Sequence, residues 1–336
     1  MRRAFGMLED GRNVEAITLG EQHGLQVEVL TYGAILRRLS YPVRGVRRDL
    51  ILHFDRLEQY ERDRAYVGSL VGRFGNRIAG ARFELDGIAR KVTANEGPNH
   101  LHGGALGFGK RVWRVLDIAG SEAPRVVLGY LSPDGEEGYP GNVEATVELV
   151  AKPNALSIIL SARSDAATPI NLTYHPYFNL QADPHQPATE QRLRIPASHY
   201  LPVVAGLIPT GQIAAVEGTP FDFRASRRLR PSSVQADPQL TIAGGYDHCW
   251  VLAENADCAC ELSSPNRDVT LTMSGGPGLQ FYNGQYLARS HPMLGSGVIL
   301  EPQGFPNAPN EPGFPPAVLR AGELYRAGIE YRLEAQ

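Results

Sequence analysis

Polar and apolar positions alternate along several stretches of the chain, and a period of two marks strands with one buried face. Leu25, Val27 and Val29 alternate with Gln26 and Glu28, and Ala81, Phe83 and Leu85 with Arg82, Glu84 and Asp86. Asp86-Gly87 then supplies a tight hairpin turn before a second strand from Ile88 to Thr93. The signal returns at Val143, Ala145, Val147 and Leu149, at Val269, Leu271 and Met273, and at Ile329, Tyr331 and Leu333. One short helix is predicted over Asp55 to Arg64, with Asp55 as its N-cap and Leu57 and Tyr60 on one face. Strands without intervening helices predict an all-β protein, a large antiparallel sandwich or barrel rather than a βαβ fold.

Composition agrees. Glycine (36 residues) and proline (25) are frequent but follow no period, as many turns between short strands require. No repeat, linker or compositional break divides the chain, so residues 1–336 read as one domain. A net charge of −3 and a pI near 6.3 point away from nucleic acid and from an anionic membrane surface. The basic run Arg37, Arg38, Arg44, Arg47 and Arg48 is interrupted by Tyr41-Pro42 and Gly45 and reads as a solvated face. Cys249, Cys258 and Cys260 are too few for a disulfide framework and lack the spacing of a structural zinc site. Gly6, Glu9, Asp10 and Gly11 break any signal-peptide core, and no apolar run reaches membrane-span length. The expectation is a soluble cytoplasmic protein, monomer or homodimer.

Candidate chemistry centres on Thr168 to Leu180, where three aromatics, two amides and one imidazole share thirteen residues with two prolines. A helix is excluded there and a simple strand disfavoured. Pro176 restricts His175 to an extended backbone, a way to hold its side chain still; the competing reading has His175 capping a turn among core aromatics. Asn76 and Arg77, in Gly72-Arg73-Phe74-Gly75-Asn76-Arg77-Ile78, offer fixed donors for sugar hydroxyls, or else a surface ion pair. In Asn99-His100-Leu101-His102-Gly103-Gly104, an extended backbone would point His100 and His102 to one side, for hydrogen bonding or, with His175, for a metal. Ser132 to Gly141 reads as a solvated acidic loop. Asp247 enters an apolar strand, Gln280 lies in an aromatic one, and Glu301 follows Val298-Ile299-Leu300 just before Pro302. A carboxylate delivered by an apolar strand suits a fixed base, or a structural ion pair.

Assembled, these segments resemble the aldose 1-epimerase (galactose mutarotase) family over nearly the whole chain. The resemblance rests on Gly72 to Ile78, Asn99 to Gly104, Asn171-Leu172-Thr173-Tyr174-His175-Pro176-Tyr177-Phe178-Asn179-Leu180, Tyr246-Asp247-His248, Gln280-Phe281-Tyr282 and Leu300-Glu301-Pro302-Gln303, in the family's order. It implies a galactose mutarotase-like supersandwich with the sugar in an open cleft on one curved sheet. By position it implies Glu301 as catalytic base and His175 as catalytic acid. Arg77, His102, Asp247 and Gln280 match sugar-binding positions, with Asn76 beside them. The implied activity interconverts the α and β anomers of free aldohexoses such as glucose and galactose, with no metal and no cofactor.

The residues can do that chemistry. Ring opening removes the proton of the C1 hydroxyl and protonates the ring oxygen, so it needs one base and one acid. Reference pKa values of about 4.3 for Glu and 6.5 for His leave Glu301 ionised and His175 protonated together, predicting a bell-shaped pH profile. Two other classes compete. A glycoside hydrolase would use Asp247 and Glu301 as its carboxylate pair. A non-catalytic sugar-binding module would keep the aromatics and amides without needing both His175 and Glu301.

Overall fold

In the computed structural model, which describes residues 1–120, 124–229 and 237–336, the alternating stretches are strands. The one predicted from Val143 runs Val143–Ala151 and pairs along its length with Ala155–Ser164, Val147 facing Leu160. Val269–Gly275 pairs with Leu324–Ala335, the longer strand that contains Ile329, Tyr331 and Leu333. Asp86 (φ 53°) and Gly87 (φ 76°) form the two-residue turn between Arg82–Leu85 and Ile88–Lys91, positive φ at both positions being what such a hairpin demands.

Among the described residues the three large sheets hold five, nine and six strands. The five-stranded sheet is a meander from Arg2–Met7 to Val46–Asp49. The nine-stranded sheet spans from Arg114–Ala119 at one edge to Arg227–Arg228 at the other. The six-stranded sheet is ordered Tyr177–Phe178, Val298–Gln303, Gly278–Tyr282, Asp247–Val251, His199–Leu201, Ala214–Ala215. Its Leu300, Leu279, Phe281 and Trp250 share a core with Ile158, Leu160, Met273 and Tyr331 of the nine-stranded sheet, which makes the pair a sandwich. Each of these side chains contributes roughly 1.5–3 kcal/mol by leaving water.

Two expectations change. The helix is Leu57–Arg62, shorter than predicted and preceded by Arg56 rather than Asp55 as N-cap, although Leu57 and Tyr60 are its buried face. Short helices also occur at Pro238–Ala243, capped by the Asp237 carboxylate, and at Gln285–Ser290; neither is long enough to display a helical period. The basic run is not all solvated. Arg37 is buried with its guanidinium on Glu28 and Asp55, and Arg48 spans Asp268 and the Leu180 carbonyl. No helix among the described residues is long and apolar enough to cross a membrane.

Candidate active site

The pleat that sends Leu300, Leu279, Phe281 and Trp250 into the core sends their neighbours to the other face of the six-stranded sheet. Glu301 stands opposite Gln280 on the adjoining strand, and Tyr282 opposite both Ile299 and Asp247. Gln280 Nε2 donates to Asp247 Oδ1 at 2.6 Å. Above this face lies a cleft of about 1590 Å³.

Shorter, less regular segments form the other wall. Thr168 to Leu180 contributes three two-residue strands, Thr168–Pro169, Thr173–Tyr174 and Tyr177–Phe178, each paired to a different partner. His175 sits between the last two with its backbone fully tied. Its N–H donates to the Ser69 carbonyl and its own carbonyl accepts from Gly68 N–H, both at 3.0 Å. The rings of His102, Tyr177 and Tyr66 surround the imidazole at 5.1, 5.3 and 5.8 Å. Its Nε2 lies 3.9 Å from Glu301 Oε1.

Strand Arg77–Ile78 pairs with His100–Leu101, and the residues flanking that pair, Asn76 (φ 66°) and His102 (φ 51°), are left-handed. They clasp each other: His102 N–H donates to the Asn76 carbonyl at 3.1 Å, and Asn76 N–H to His102 Nδ1 at 3.2 Å. This turn defeats the expectation that His100 and His102 point together. The strand ends at Leu101, so alternation does not carry through to His102. His100 faces inward instead, between the Thr93 carbonyl and the Tyr139 hydroxyl, each at 2.7 Å.

Asn76, Arg77, His102, His175, Asp247 and Glu301 therefore line one cleft. Gln280 is buried beneath, its amide given to Asp247. Sequence reading passed over Tyr66, a lone tyrosine with φ 58° and no local signal, and Glu96, which grips Arg77. The Ser132–Gly141 loop does not line the cleft. Glu137 instead holds Ala105 and Leu106, which do, by accepting from their backbone N–H groups.

Residues 15–332 match the family described as Aldose 1-epimerase. The chain belongs to the aldose 1-epimerase family. It is 38% identical to galactose mutarotase of Bos taurus, covering 96% of this chain and 95% of that one. It is 33% identical to aldose 1-epimerase of Escherichia coli (strain K12), covering 97% of each. The crystal structure of galactose 1-epimerase from Lactobacillus acidophilus NCFM superposes with a TM-score of 0.89 at 28% identity, covering 100% of this chain and 98% of that one. The protein is thus an enzyme of the aldose 1-epimerase type, built on the galactose mutarotase-like fold.

For an aldose 1-epimerase the protonation of the cleft matters most, and here the structure departs from the reference values. Burial pushes the His175 imidazole down to about 3. Burial, reinforced by nearby Asp247 and opposed by Arg77, raises the Glu301 carboxyl well above its ordinary range. Glu301 is 2% exposed and His175 5%, so burial favours the neutral form of both groups. Asp247 is raised by burial too, against the pull of Arg77 and Gln280. Arg77 stays charged, because Asp247 and Glu96 outweigh its own burial.

His102, His175 and Glu301 each bring one ligating atom within 4.8 Å of the others, the spacing of a candidate metal site. The His102 tautomer opposes that use. Its pKa is held low by burial and by the neighbouring His175 and Arg77, and its Nδ1 accepts from a backbone amide, so the proton of the neutral ring resides on Nε2. A metal-binding histidine needs the reverse, a bare nitrogen toward the metal and a donor behind it. His102 is built as a donor.

Proposed function

We propose that the protein interconverts the α and β anomers of free aldohexoses such as glucose and galactose, with Glu301 as base and His175 as acid. The observation that carries this reading is the pair itself: a carboxylate and an imidazole 3.9 Å apart on one cleft. The hydroxyl and ring oxygens of a hemiacetal sit on the same carbon, so one acid and one base this close can serve both. Glu301 takes the C1 hydroxyl proton while His175 donates to the ring oxygen. The ring opens, the aldehyde turns about C1–C2, and closure on the other face reverses the two roles.

One proton shared by the pair supports this cycle despite the shifted pKa values. Carboxylic acid with neutral imidazole and carboxylate with imidazolium hold the same number of protons. Burial by itself favours the first form. A sugar whose C1 hydroxyl donates to Glu301 and whose ring oxygen accepts from His175 favours the second. Arg77 and the His102 Nε2–H orient the ring oxygen, while Asp247 accepts from sugar hydroxyls, with Asn76 and Gln280 holding His102 and Asp247 in place. Residues 1–336 act as one domain, a reading supported by the nine-stranded sheet that joins Arg114–Ala119 to Leu324–Ala335. Three free cysteines fit a reducing, cytoplasmic setting.

Polarimetry on freshly dissolved α-D-glucose and α-D-galactose tests the reading. The wild type is expected to speed relaxation to an unchanged equilibrium rotation, and Glu301→Gln and His175→Asn to lose about 10²–10⁴ of that rate. Its pH profile should be bell-shaped with displaced limbs. A second proton enters only near the depressed His175 value of about 3, and the single proton leaves only above the ordinary carboxylate range. An acidic limb near 6.5 would contradict the buried pair, and new reducing ends released from an oligosaccharide would point to hydrolysis instead.

A further inference from the structure

Glu96 stands outside the residues assigned so far, yet it decides where Arg77 can point. Arg77 Nε and one terminal nitrogen donate to the two oxygens of the Glu96 carboxylate, each at 2.7 Å. The other terminal nitrogen is left, 3.6 Å from Asp247 Oδ2. A two-toothed grip of this kind fixes the plane of a guanidinium as well as its place.

The carboxylate is itself delivered rigidly. Glu96 N–H donates to the Asn99 carbonyl at 3.1 Å and Asn99 N–H to the Glu96 carbonyl at 3.0 Å, closing a turn through Gly97 (φ 56°). On one side Asn95 exchanges hydrogen bonds with the Leu101 backbone at 2.7 and 2.9 Å. On the other, the Asn99 side chain accepts from Gly80 N–H at 2.9 Å. The Glu96 side chain is 37% exposed while that of Arg77 is 8% exposed, so the grip comes from the solvent side of the cleft wall. Removing Glu96 would leave the buried guanidinium one partner short, so the pair carries some stability, but only its two-toothed geometry fixes the guanidinium plane.

We propose that Glu96 is a positioning residue for the epimerase reaction: it locks the guanidinium plane of Arg77 so that one N–H edge faces the ring oxygen of the bound aldose. Through its activity arm the proposal rests on the anomer-interconversion reading above. A displacement of about 1 Å at a catalytic contact can cost on the order of 10²-fold, which sets the scale expected when the lock is removed.

The test compares Glu96→Ala and Glu96→Gln by polarimetry, alone and in an Arg77→Ala background. Glu96→Ala should lower kcat/KM about 10- to 100-fold, mostly in kcat, because the ring oxygen needs its donor most as the ring opens. Glu96→Gln keeps one acceptor and should recover part of the loss. In the Arg77→Ala background Glu96→Ala should cost no further activity, and the thermal midpoint of the double variant should stay close to that of Arg77→Ala. Full activity of Glu96→Ala would overturn the proposal, and so would an undiminished loss in the Arg77→Ala background, which would mean that Glu96 acts without Arg77. The Arg77 Nε–H signal in NMR reads the lock without any sugar. A sharp, slowly exchanging wild-type signal lost in Glu96→Ala supports the proposal even if no aldose proves to be a substrate, whereas a signal unchanged by the substitution overturns it.

Discussion

The two walls of the cleft are made in different ways. Glu301, Gln280 and Asp247 belong to three adjoining strands of one sheet, and their direction follows from the pleat that buries Leu300, Phe281 and Trp250 behind them. Asn76, Arg77, His102 and His175 come from two-residue strands and tight turns, where left-handed backbone at Asn76 and His102 does the aiming. On the first wall a side chain is placed by its neighbours in a regular element, and on the second by a particular dihedral angle. Damage should therefore spread differently from the two walls.

The sheet wall gives the largest contrast, within a single strand. Phe281 is wholly buried against Trp250, Tyr246 and Phe223, so Phe281→Ala should cost about 3–5 kcal/mol in chemical denaturation. Gln280 points the other way and holds Asp247. Gln280→Ala should cost far less stability but lower kcat/KM by roughly fivefold, the scale of one net hydrogen bond of about 1 kcal/mol. Equal stability losses at the two positions would mean that the faces are not divided as described.

This division also explains what could be read in the sequence. A period of two survives in any half-buried strand, so Val143 to Leu149 and Ile329 to Leu333 were legible, as was the Asp86-Gly87 turn. Glu301 was legible because an apolar strand delivering a carboxylate is conspicuous, and His175 because prolines and aromatics crowd around it. The direction of His100 was misread, since nothing in Asn99 to Gly104 announces that the backbone turns left-handed at His102. Tyr66 and Glu96 reach the cleft from distant turns, so no local spacing marks them. The identity of Glu301 and His175 was visible before their pKa values, because burial is a property of the fold and not of the motif.

That burial predicts a second, smaller effect on the sheet wall. A carboxyl whose folded pKa is raised adds stability below its unfolded value and loses that contribution as pH rises through the folded one. Glu301→Gln should therefore match the wild type near pH 4 and become the more stable protein by pH 8, seen as a Tm gap that opens as pH rises. His175 has the opposite sign. Its folded pKa is depressed to about 3, so its contribution is fully present above its unfolded value near 6.5 and is lost as pH falls toward 3. A wild type more stable than Glu301→Gln at pH 8 would mean that Arg77 compensates the buried carboxylate fully.

The irregular wall offers the smallest and most local test, because glycine and alanine at one left-handed position there differ by a single Cβ. Asn76 holds φ 66° while its side-chain oxygen accepts from Arg77 N–H at 2.9 Å. Asn76→Gly and Asn76→Ala both remove that hydrogen bond, but only alanine keeps a Cβ, which resists left-handed backbone at about 1 kcal/mol. Alanine should therefore be the less stable variant by that amount in urea denaturation, although ordinary helix and strand preferences favour it over glycine. Its activity should fall further too, since relaxed backbone at position 76 releases its N–H from His102 Nδ1 and with it the tautomer that keeps the ring's other nitrogen a donor. Equal stability and activity in the two variants would mean that the dihedral at Asn76 carries no strain, and the aiming on this wall would then have to come from side-chain contacts, as it does on the other.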